Sequence, residues 1–237
     1  MHVHTLGMSS DSELKPLDLP EIARAAGLTG VNLAEHDKVW PRDRQRGYAD
    51  GHELFVNFGM EVSTDLGHML AIGLPEYVGG IRRAAKLREE LDRVGGFLIV
   101  AHPFRYQLDP ATVNGRANAP ILSVEQAAAL PVFQLVDAIE VANACNTLQE
   151  NEFAADVARL LGLPTTGGSD AHSHTGVGHF ATGFAEPIGS PRDFLDQLHA
   201  GTMEAVHWTA SGRLLRFEPG SVEAASREST TASTAER

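Results

Sequence analysis

Short apolar runs alternate along the chain with longer stretches in which apolar residues recur every three or four positions. The runs at 31–34 and 97–101 are typical of buried strands, and the stretches at 81–94 and 148–161 are typical of helices. Glycines follow both helical stretches, as expected where a helix ends. This alternation predicts one α/β domain with a parallel sheet that is covered on both faces.

The same patterns predict further elements, bounded by turn residues or by a change in spacing. The predicted strands lie at 2–6, 54–58, 69–74, 137–141, 164–169 and 202–208, and the predicted helices lie at 18–26, 124–130 and 191–200. Ser190 precedes the last helix and is its expected N-cap. The segment 40–52 is polar and fits either a loop or a short helix.

Composition separates a folded domain from a tail. Of the 237 residues, 43% are hydrophobic, which is sufficient for the core of one large domain, predicted at 1–220. Residues 221–237 are mostly Ser, Thr, Ala, Glu and Arg, and we expect a disordered tail there. The segment 109–120 contains Pro, Gly and Asn and is expected to form a loop over a functional face.

Charge and cysteine content narrow the range of functions. The formal net charge of −12 disfavours long nucleic acid as a partner, although bound divalent ions would still permit a small anionic substrate. The single cysteine excludes an internal disulfide and a cysteine-rich zinc module. No apolar run is long enough to span a membrane and no signal peptide is evident, so we expect a cytoplasmic protein.

Histidines and acidic residues lie at the ends of the predicted strands. His2 and His4 are two residues apart on a predicted strand, so their side chains share one face. His102 directly follows the run 97–101, where a buried imidazole without a partner would be costly and therefore needs a hydrogen bond or a metal. A barrel gathers metals where its strand ends meet. The other candidates are His36, Glu61, His68, Asp170 and His172.

Several of these residues have a second interpretation. Two histidines near a terminus are usually surface residues, and because His2 directly follows Met1, fraying would weaken a metal site there. Glu61 also fits a solvated turn, and His36 also fits a loop histidine. Arg105 fits either a salt bridge or a side chain that binds phosphate.

Four other polar residues near the strand ends are weaker indications of a functional site. Glu140 and Asn143 end one predicted strand, where they either orient ligands or cap a loop. His174 and His179 follow His172, and we expect them to face solvent or to support the ligands from outside.

Taken in order, these motifs resemble those of the PHP (polymerase and histidinol phosphatase) family. The matching segments are His2-x-His4-Thr5, Glu35-His36, Gly59-x-Glu61, His68, Ala101-His102-Pro103, Glu140-x-x-Asn143 and Gly168-Ser169-Asp170-Ala171-His172. They cover residues 2 to about 208 and look most like the stand-alone phosphoesterase branch. The resemblance implies a distorted (β/α)7 TIM-like barrel with two or three divalent ions at the C-terminal strand ends, which nitrogen and carboxylate ligands would make Zn, Mn or Fe.

Carried over position by position, the resemblance implies two metal sites that share a carboxylate. The first site would comprise His2, His4, Glu61 and Asp170. The second site would comprise Glu61, His68 and His102, with Glu61 bridging the two ions.

The chain departs from the trinuclear pattern of this family at the position of the third ion. His36 and His172 would hold this ion or bind substrate. Trinuclear members carry another histidine shortly after the His-x-His motif, where this chain has Ser9, Ser10 and Asp11. Two sites with an optional third are therefore expected.

Two metal ions that share a carboxylate favour a hydrolase. The leading hypothesis is a phosphoesterase in which a hydroxide bridging the metals attacks the phosphorus of a small phosphorylated metabolite or nucleotide. Asp170 and His172 are candidates for proton transfer, and Arg105 is a candidate for binding a phosphate oxygen. Metal-dependent hydrolysis of an amide or lactone, of the amidohydrolase type, and a non-catalytic metal-binding role stay open as alternatives.

Overall fold

The structure is a computed structural model that describes residues 1–106, 122–209 and 211–222. The helices are α1 Leu19–Ala25, α2 Arg42–Ala49, α3 Ala84–Val94, α4 Val124–Ala128, α5 Leu148–Leu161 and α6 Pro191–Ala200. The strands are β1 Gly30–His36, β2 Phe55–Thr64, β3 Gly67–Ile72, β4 Phe97–Val100, β5 Ala138–Asn143, β6 Thr165–Gly168, β7 Phe180–Gly183, β8 Glu204–Trp208 and β9 Leu214–Arg216. Short 3₁₀ turns lie at Pro131–Gln134 and His174–Gly176.

The larger sheet contains six strands in sequence order, β1 to β6. β1 and β2 are parallel, β3 is antiparallel to both of its neighbours, and β4, β5 and β6 are again parallel. Val3 forms isolated parallel bridges with Leu33 in β1 and with Ala171 after β6, so the first residues connect the two edges of the curled sheet. The predicted α/β class is confirmed in this coarser form, as a mixed fold with a curled half-barrel sheet.

A smaller antiparallel sheet of β7, β8 and β9 packs beside β6. β8 corresponds to the predicted strand at 202–208. β7 and β9 were not predicted, because their four and three residues are too short to show a clear alternation.

Local sequence signals set the helix boundaries. Ser190 accepts a hydrogen bond from the Asp193 backbone N–H and caps α6, which confirms the predicted N-cap. Thr147 caps α5 together with Glu150 in a reciprocal capping box. α3, α5 and α6 each end at a glycine in the left-handed conformation, with φ near 65°.

The main core lies between the sheet and the helices α3 and α5. Leu87 and Leu91 from α3 and Val157 from α5 are fully buried in one cluster with Leu98 and Ile139 from the sheet. Burying a side chain of this size contributes roughly 1.5–3 kcal/mol. This packing fixes the central strands, and with them the residues that follow their ends.

Two predicted strands differ from the observed elements, and a third segment adopts one of the two forms that its pattern left open. The segment 2–6 is not a regular strand, because only Val3 and Leu6 form bridges there. Val3 lies between β1 and the segment after β6 and bridges to both. β4 is buried at every position as predicted, but it pairs antiparallel with β3 and parallel with β5. The segment 40–52 contains the helix α2.

Two predictions fall outside the described residues. They are the loop at 109–120 and, apart from its first two residues, the tail at 221–237. Among the helices that the structure describes, none combines the length and the apolar character needed to cross a bilayer.

Candidate metal centre

The strand register places acidic and histidine side chains at one rim of the larger sheet. His36 ends β1 and is the direct partner of Glu61 in β2. β3 runs antiparallel to β2, so its start returns to the same rim and His68 lies opposite Ser63. The backbone N–H of Ala101 donates to the His68 carbonyl at 3.0 Å, which places the next residue, His102, beside this group.

Glu61 is the centre of this group. Its carboxylate is 1% exposed, and its Oε2 lies 3.0 Å from His36 Nδ1 and 3.4 Å from both His2 Nε2 and His4 Nε2. Its Oε1 lies 2.9 Å from His68 Nδ1 and 3.0 Å from His102 Nε2. One carboxylate therefore faces five imidazoles from four segments of the chain.

Asp170 is the second carboxylate of the centre, and its two oxygens face different groups. Oδ1 lies 3.1 Å from His4 Nε2 and 3.5 Å from His2 Nε2. Oδ2 accepts a hydrogen bond from the Arg105 guanidinium at 2.5 Å. The residue thus joins the histidine cluster to a partly buried cation.

The unpartnered atoms of the cluster fit a metal. His2 Nε2, His4 Nε2 and Glu61 Oε2 are buried and form no hydrogen bond among the described residues. Three such atoms in one place would be costly, since a buried polar group without a partner destabilises by about 1–3 kcal/mol. Nitrogen and carboxylate oxygen are ligand atoms for Zn, Mn and Fe. The residues present therefore fit divalent ions.

Three triads place their ligand atoms within 4.8 Å of one another. They are His2, His4 and Asp170; His2, Glu61 and His102; and His4, His36 and His172. The first triad gathers most of the first predicted site. In the second triad His2 stands where His68 was predicted, while His68 contacts Glu61 from a position that is 42% exposed.

Outer hydrogen bonds orient the two most buried histidines. His2 Nδ1 lies 3.1 Å from Glu140 Oε1, and both residues are fully buried. His4 Nδ1 lies 3.3 Å from the Ser9 hydroxyl, which donates to Glu35 Oε2 at 2.6 Å. A partner that occupies Nδ1 fixes the tautomer and directs Nε2 toward a metal.

Glu35 is a buried acceptor with several donors. It accepts hydrogen bonds from the backbone N–H and the hydroxyl of Thr5, from Ser9 and from the Trp40 indole. These bonds fasten the segment that follows His4 to the end of β1. Sequence reasoning noted Glu35 only as part of a matching segment, and nothing in the local pattern indicated its partners.

A register irregularity in β5 brings Glu140 and Asn143 to the same side. In a regular strand, residues three apart face opposite sides, yet Asn143 Nδ2 donates to Glu140 Oε2 at 2.9 Å. The pairing of β5 with β6 shifts between Glu140 and Ala142, which accounts for this arrangement. Of the two sequence interpretations, the contacts agree with orientation of ligands, because Asn143 also accepts from Arg105 at 2.8 Å.

Close packing at Gly168 explains the glycine in the Gly-Ser-Asp-Ala-His segment. A Cβ atom there would lie 2.2 Å from Glu140 Oε1 and 2.7 Å from the His2 Cβ. Any larger residue would therefore displace the Glu140–His2 pair.

Backbone strain accompanies the site. His102 and Asp170 have φ values of 30° and 48°, and Asp37, next to His36, has a φ of 51°. Left-handed conformations in residues other than glycine are uncommon and cluster at functional sites. Here they re-aim side chains directly after β1, β4 and β6.

The electrostatics of the cluster favour a bound cation. Burial raises the pKa of Glu61, but His2, together with the neighbouring imidazoles of His102 and His36, holds it well below its usual value. Burial also opposes the low pKa of Asp170, which His2, His4 and Arg105 maintain. Burial lowers the pKa of His2, yet Glu140, Asp170 and Glu61 raise it well above its usual value. The ionised carboxylates therefore demand positive charge, from protons or from metal ions.

The predicted bystanders lie outside the cluster. His174 Nε2 lies 3.4 Å from an Asp18 oxygen, and His179 Nδ1 faces the Gly176 carbonyl. Neither of these contacts involves Glu61 or Asp170. The predicted catalytic residues Asp170, His172 and Arg105 all border the cluster, and their roles stay predictions.

An apolar cavity of about 530 Å³ lies at the opposite end of the sheet. Its lining includes Gly30 and Phe55, which start β1 and β2, together with Phe194 and Trp208. None of the predicted site residues lines it. The polar cluster, rather than this cavity, is the candidate centre.

Sequence and structure comparisons agree with the motifs. The family model described as PHP-associated matches residues 149–203. No curated protein matches the chain in sequence.

Solved structures share the fold at low sequence identity. A Bifidobacterium adolescentis protein assigned as a metal-dependent phosphoesterase has a TM-score of 0.51 and 21% identity, covering 83% of this chain and 94% of that one. A two-domain Bacteroides vulgatus protein containing a PHP-like metal-dependent phosphoesterase has a TM-score of 0.60 and 19% identity, covering 86% and 62%. A Chromobacterium violaceum amidohydrolase with bound sulfate and no metal has a TM-score of 0.54 and 17% identity, covering 91% and 97%.

The family match and the shared fold support the PHP domain family that the motifs predicted.

Proposed function

We propose that this protein is a metal-dependent phosphoesterase that hydrolyses a small phosphorylated metabolite or nucleotide. One observation carries the proposal: Glu61 and Asp170 lie in a histidine cluster in which two buried atoms, His2 Nε2 and His4 Nε2, form no hydrogen bond among the described residues. Two neighbouring triads of nitrogen and oxygen atoms, one with Asp170 and the other with Glu61, offer the donor set that a two-metal hydrolase would need. We also propose that the fold is the distorted (β/α)7 barrel that the resemblance implies.

The residues divide between two metal sites. His2, His4 and Asp170 would hold one ion, and Glu61 and His102, completed by His2 or His68, would hold the other. When bound, two divalent ions supply Lewis-acid charge beside a phosphoryl group and lower the pKa of water. The chain contributes a buried, negatively charged site. There Glu140 keeps His2, and the Ser9–Glu35 pair keeps His4, in the tautomer that can bind a metal through Nε2.

Arg105 supplies the fixed cation of the site. It donates to Asp170 at 2.5 Å, to Asn143 at 2.8 Å and to Asn146 at 2.9 Å, and its side chain is 18% exposed. These bonds hold the guanidinium at the rim, next to Asp170. A planar fork in this position suits a phosphate oxygen, and it also holds the Asp170 carboxylate in place.

His172 is the proposed proton-transfer group. Its Nδ1 faces the Asp170 carbonyl at 2.9 Å, so a proton on Nδ1 is held by that bond, and Nε2, which lies 3.4 Å from Asp11 Oδ2, is the nitrogen that exchanges one. The side chain is 30% exposed and lies at the open side of the cluster. A leaving alkoxide on that side would be protonated from Nε2.

The net charge bears on the substrate class. With −12 on the chain, attraction to a long polyanion is weak, whereas a small phosphate ester would meet the local positive charge that bound divalent ions supply. A panel of sugar phosphates, nucleoside monophosphates and short phosphodiesters, assayed for released phosphate with Mn²⁺ or Zn²⁺, tests the proposal. We expect turnover by the native chain and a loss of at least about 100-fold in His102→Ala.

His179→Ala provides the matched control, since His179 is a histidine of the same region without a contact to Glu61 or Asp170. It should keep the native rate. Absence of phosphate release from every ester by the metal-loaded protein would exclude the proposal.

Metal-dependent amide or lactone hydrolysis is the second candidate, favoured by the fold shared with the Chromobacterium violaceum amidohydrolase. The same buried cluster serves that reaction, but Arg105 has no anion to bind. Turnover of amides or lactones in preference to phosphate esters, unaffected by Arg105→Met, would favour it. A chain that retains less than about one ion would instead favour a non-catalytic role.

A further inference from the structure

Arg82 is a second guanidinium at the rim that carries the histidine cluster. Its Nη2 donates to Asp37 Oδ2 at 2.5 Å, and Asp37 directly follows His36 at the end of β1. Arg105, by contrast, bonds to residues that end or follow β5 and β6. The cluster therefore has one arginine beside the ends of β1 and β2 and another beside the ends of β5 and β6.

The Asp37 carboxylate that holds Arg82 is itself fixed to the backbone of β2. The Asp37 backbone N–H donates to the Glu61 carbonyl at 2.8 Å, and Asp37 Oδ1 accepts from the Ser63 backbone N–H at 3.2 Å. Ser63 pairs with His68 across β2 and β3. Asp37 is only 20% exposed, and its φ of 51° is a conformation that residues other than glycine rarely adopt. The ion pair is thus built into the rim beside the proposed metal ligands.

The main chain of Arg82 is fixed as well, although its side chain is open to solvent. The Asp65 backbone N–H donates to the Arg82 carbonyl at 2.8 Å, and Asp65 Oδ1 accepts from the Ala84 backbone N–H at 2.8 Å. The Arg82 side chain is 64% exposed. A ligand that enters from solvent can therefore reach a guanidinium whose position is already set at both ends.

The chain that follows Asp37 is positively charged, although the formal net charge of the whole protein is −12. The nine residues 38–46 contain four cations and one acid, a local formal charge of +3. The cations are Lys38, Arg42, Arg44 and Arg46, and all four are exposed and form no ion pair among the described residues. This part of the rim therefore attracts an anionic group.

We propose that Arg82 binds a second anionic group of the substrate, so that the preferred substrates are phosphate esters whose leaving group carries a further phosphate or a carboxylate. The inference rests on the proposed phosphoesterase function, because it takes the reacting phosphate to lie at the histidine cluster beside Arg105. A guanidinium offers paired N–H donors that match two oxygens of either anionic group. Arg82 is thus a specificity residue rather than a catalytic one.

The bland alternative is an exposed ion pair without a function, since such pairs are common on protein surfaces. Arg93 forms a pair of this kind with Glu90 at 3.0 Å, and its side chain is 64% exposed, like that of Arg82. Arg93 lies in the last turn of α3, just before β4 begins, whereas the cluster follows the end of β4. Arg93→Met is therefore a matched control, because it removes an equally exposed guanidinium from a single carboxylate.

The test compares esters that differ only in the second anionic group. One pair is a sugar bisphosphate and the corresponding monophosphate, and the other is the phosphate ester of a hydroxy acid and that of its methyl ester. With the metal-loaded native chain, kcat/KM should favour the doubly anionic member of at least one pair by about 10–100-fold, the size expected for hydrogen bonds to a charged group. The pair that shows the preference identifies the group as a phosphate or a carboxylate.

Arg82→Met should remove most of this preference and leave kcat/KM for the singly anionic esters close to the native value. Arg93→Met should keep the full preference. Arg82→Lys retains a charge but loses the planar fork, so it should keep part of the preference. Circular dichroism confirms that each variant is folded.

Two results would overturn the inference. They are a native chain that cleaves both members of each pair equally well, and an Arg82→Met chain whose preference falls no further than that of Arg93→Met. If no ester is cleaved, the proposed activity fails. Calorimetric titration of the same pairs into the native and Arg82→Met chains then still decides whether Arg82 binds the second anionic group.

Discussion

The His2 imidazole stands 3.1 Å from the Glu140 carboxylate, and both side chains are fully buried. Glu140 also accepts from the His102 backbone N–H at 3.0 Å and from Asn143 Nδ2 at 2.9 Å. One carboxylate therefore organises residues at the ends of two strands, and orients a histidine whose other nitrogen faces Glu61.

Replacing Glu140 by Gln should weaken metal binding by about 10–100-fold. The amide nitrogen cannot accept a hydrogen bond, so one of the three donors loses its partner, and the negative charge behind His2 disappears. Competition with a chromogenic chelator measures the affinity. Glu89→Gln, on the exposed face of α3, is the control and should bind metal as the native chain does. Equal affinities for the two variants would show that Glu140 does not support the ligand.

Removing the Ser9 hydroxyl should destabilise the metal-free protein by about 1–3 kcal/mol, because buried donors lose their acceptor. Ser9 connects His4 to Glu35 and also accepts from the His36 backbone N–H at 3.3 Å. Urea unfolding of Ser9→Ala measures the loss. Ser9→Thr retains a hydroxyl and should recover most of the stability and of the metal affinity. If Ser9→Ala is as stable to urea as Ser9→Thr, the hydrogen bond between Ser9 and Glu35 does not stabilise the protein.

Arg105→Lys should raise KM for a phosphate ester more than it lowers kcat. The Arg105 guanidinium donates hydrogen bonds to Asp170, Asn143 and Asn146. A lysine ammonium is a single point charge and cannot form this planar set of bonds. Inhibition by inorganic phosphate should weaken in parallel. Steady-state kinetics on the best ester measure both effects. An unchanged KM with unchanged phosphate inhibition would leave Arg105 as a structural ion pair with Asp170.

Removing the metals should lower the unfolding temperature. Ions that bind only the folded state stabilise it by about 2.7 kcal/mol per site at a concentration 100 times Kd. Calorimetry with and without a chelator measures the difference. The shift should shrink in His102→Ala, which lacks one ligand, and should persist in His179→Ala. A native chain that unfolds at the same temperature in both conditions would argue against a metal centre.

Much of the element pattern was predictable because it follows from local spacing. α5 at Leu148–Leu161 coincides with the predicted helix, and the burial of β4 follows from its unbroken apolar run. Sheet direction was not predictable in this way. β2 and β3 form an antiparallel pair linked by a short turn, which the expectation of a parallel sheet missed.

The site residues were recognised as motifs, but their contacts required the fold. The grouping of His2 with Glu61 and His102 depends on Val3 bridging the two sheet edges, a pairing between distant segments that no local pattern encodes. Asp11 was noticed only as a departure from a motif. Its position beside His36 and His172 depends on the anchored loop at Ser9 and Ser12.

Anomalous X-ray diffraction from crystals of the metal-loaded chain tests the proposed centre most directly. Peaks at the metal edge should lie within about 2.0–2.3 Å of ligand atoms of His2, His4 and Asp170, and of Glu61 and His102. Fully occupied crystals with no peak in contact with Glu61 or Asp170 would contradict a metal centre in this cluster, and with it the proposed hydrolase.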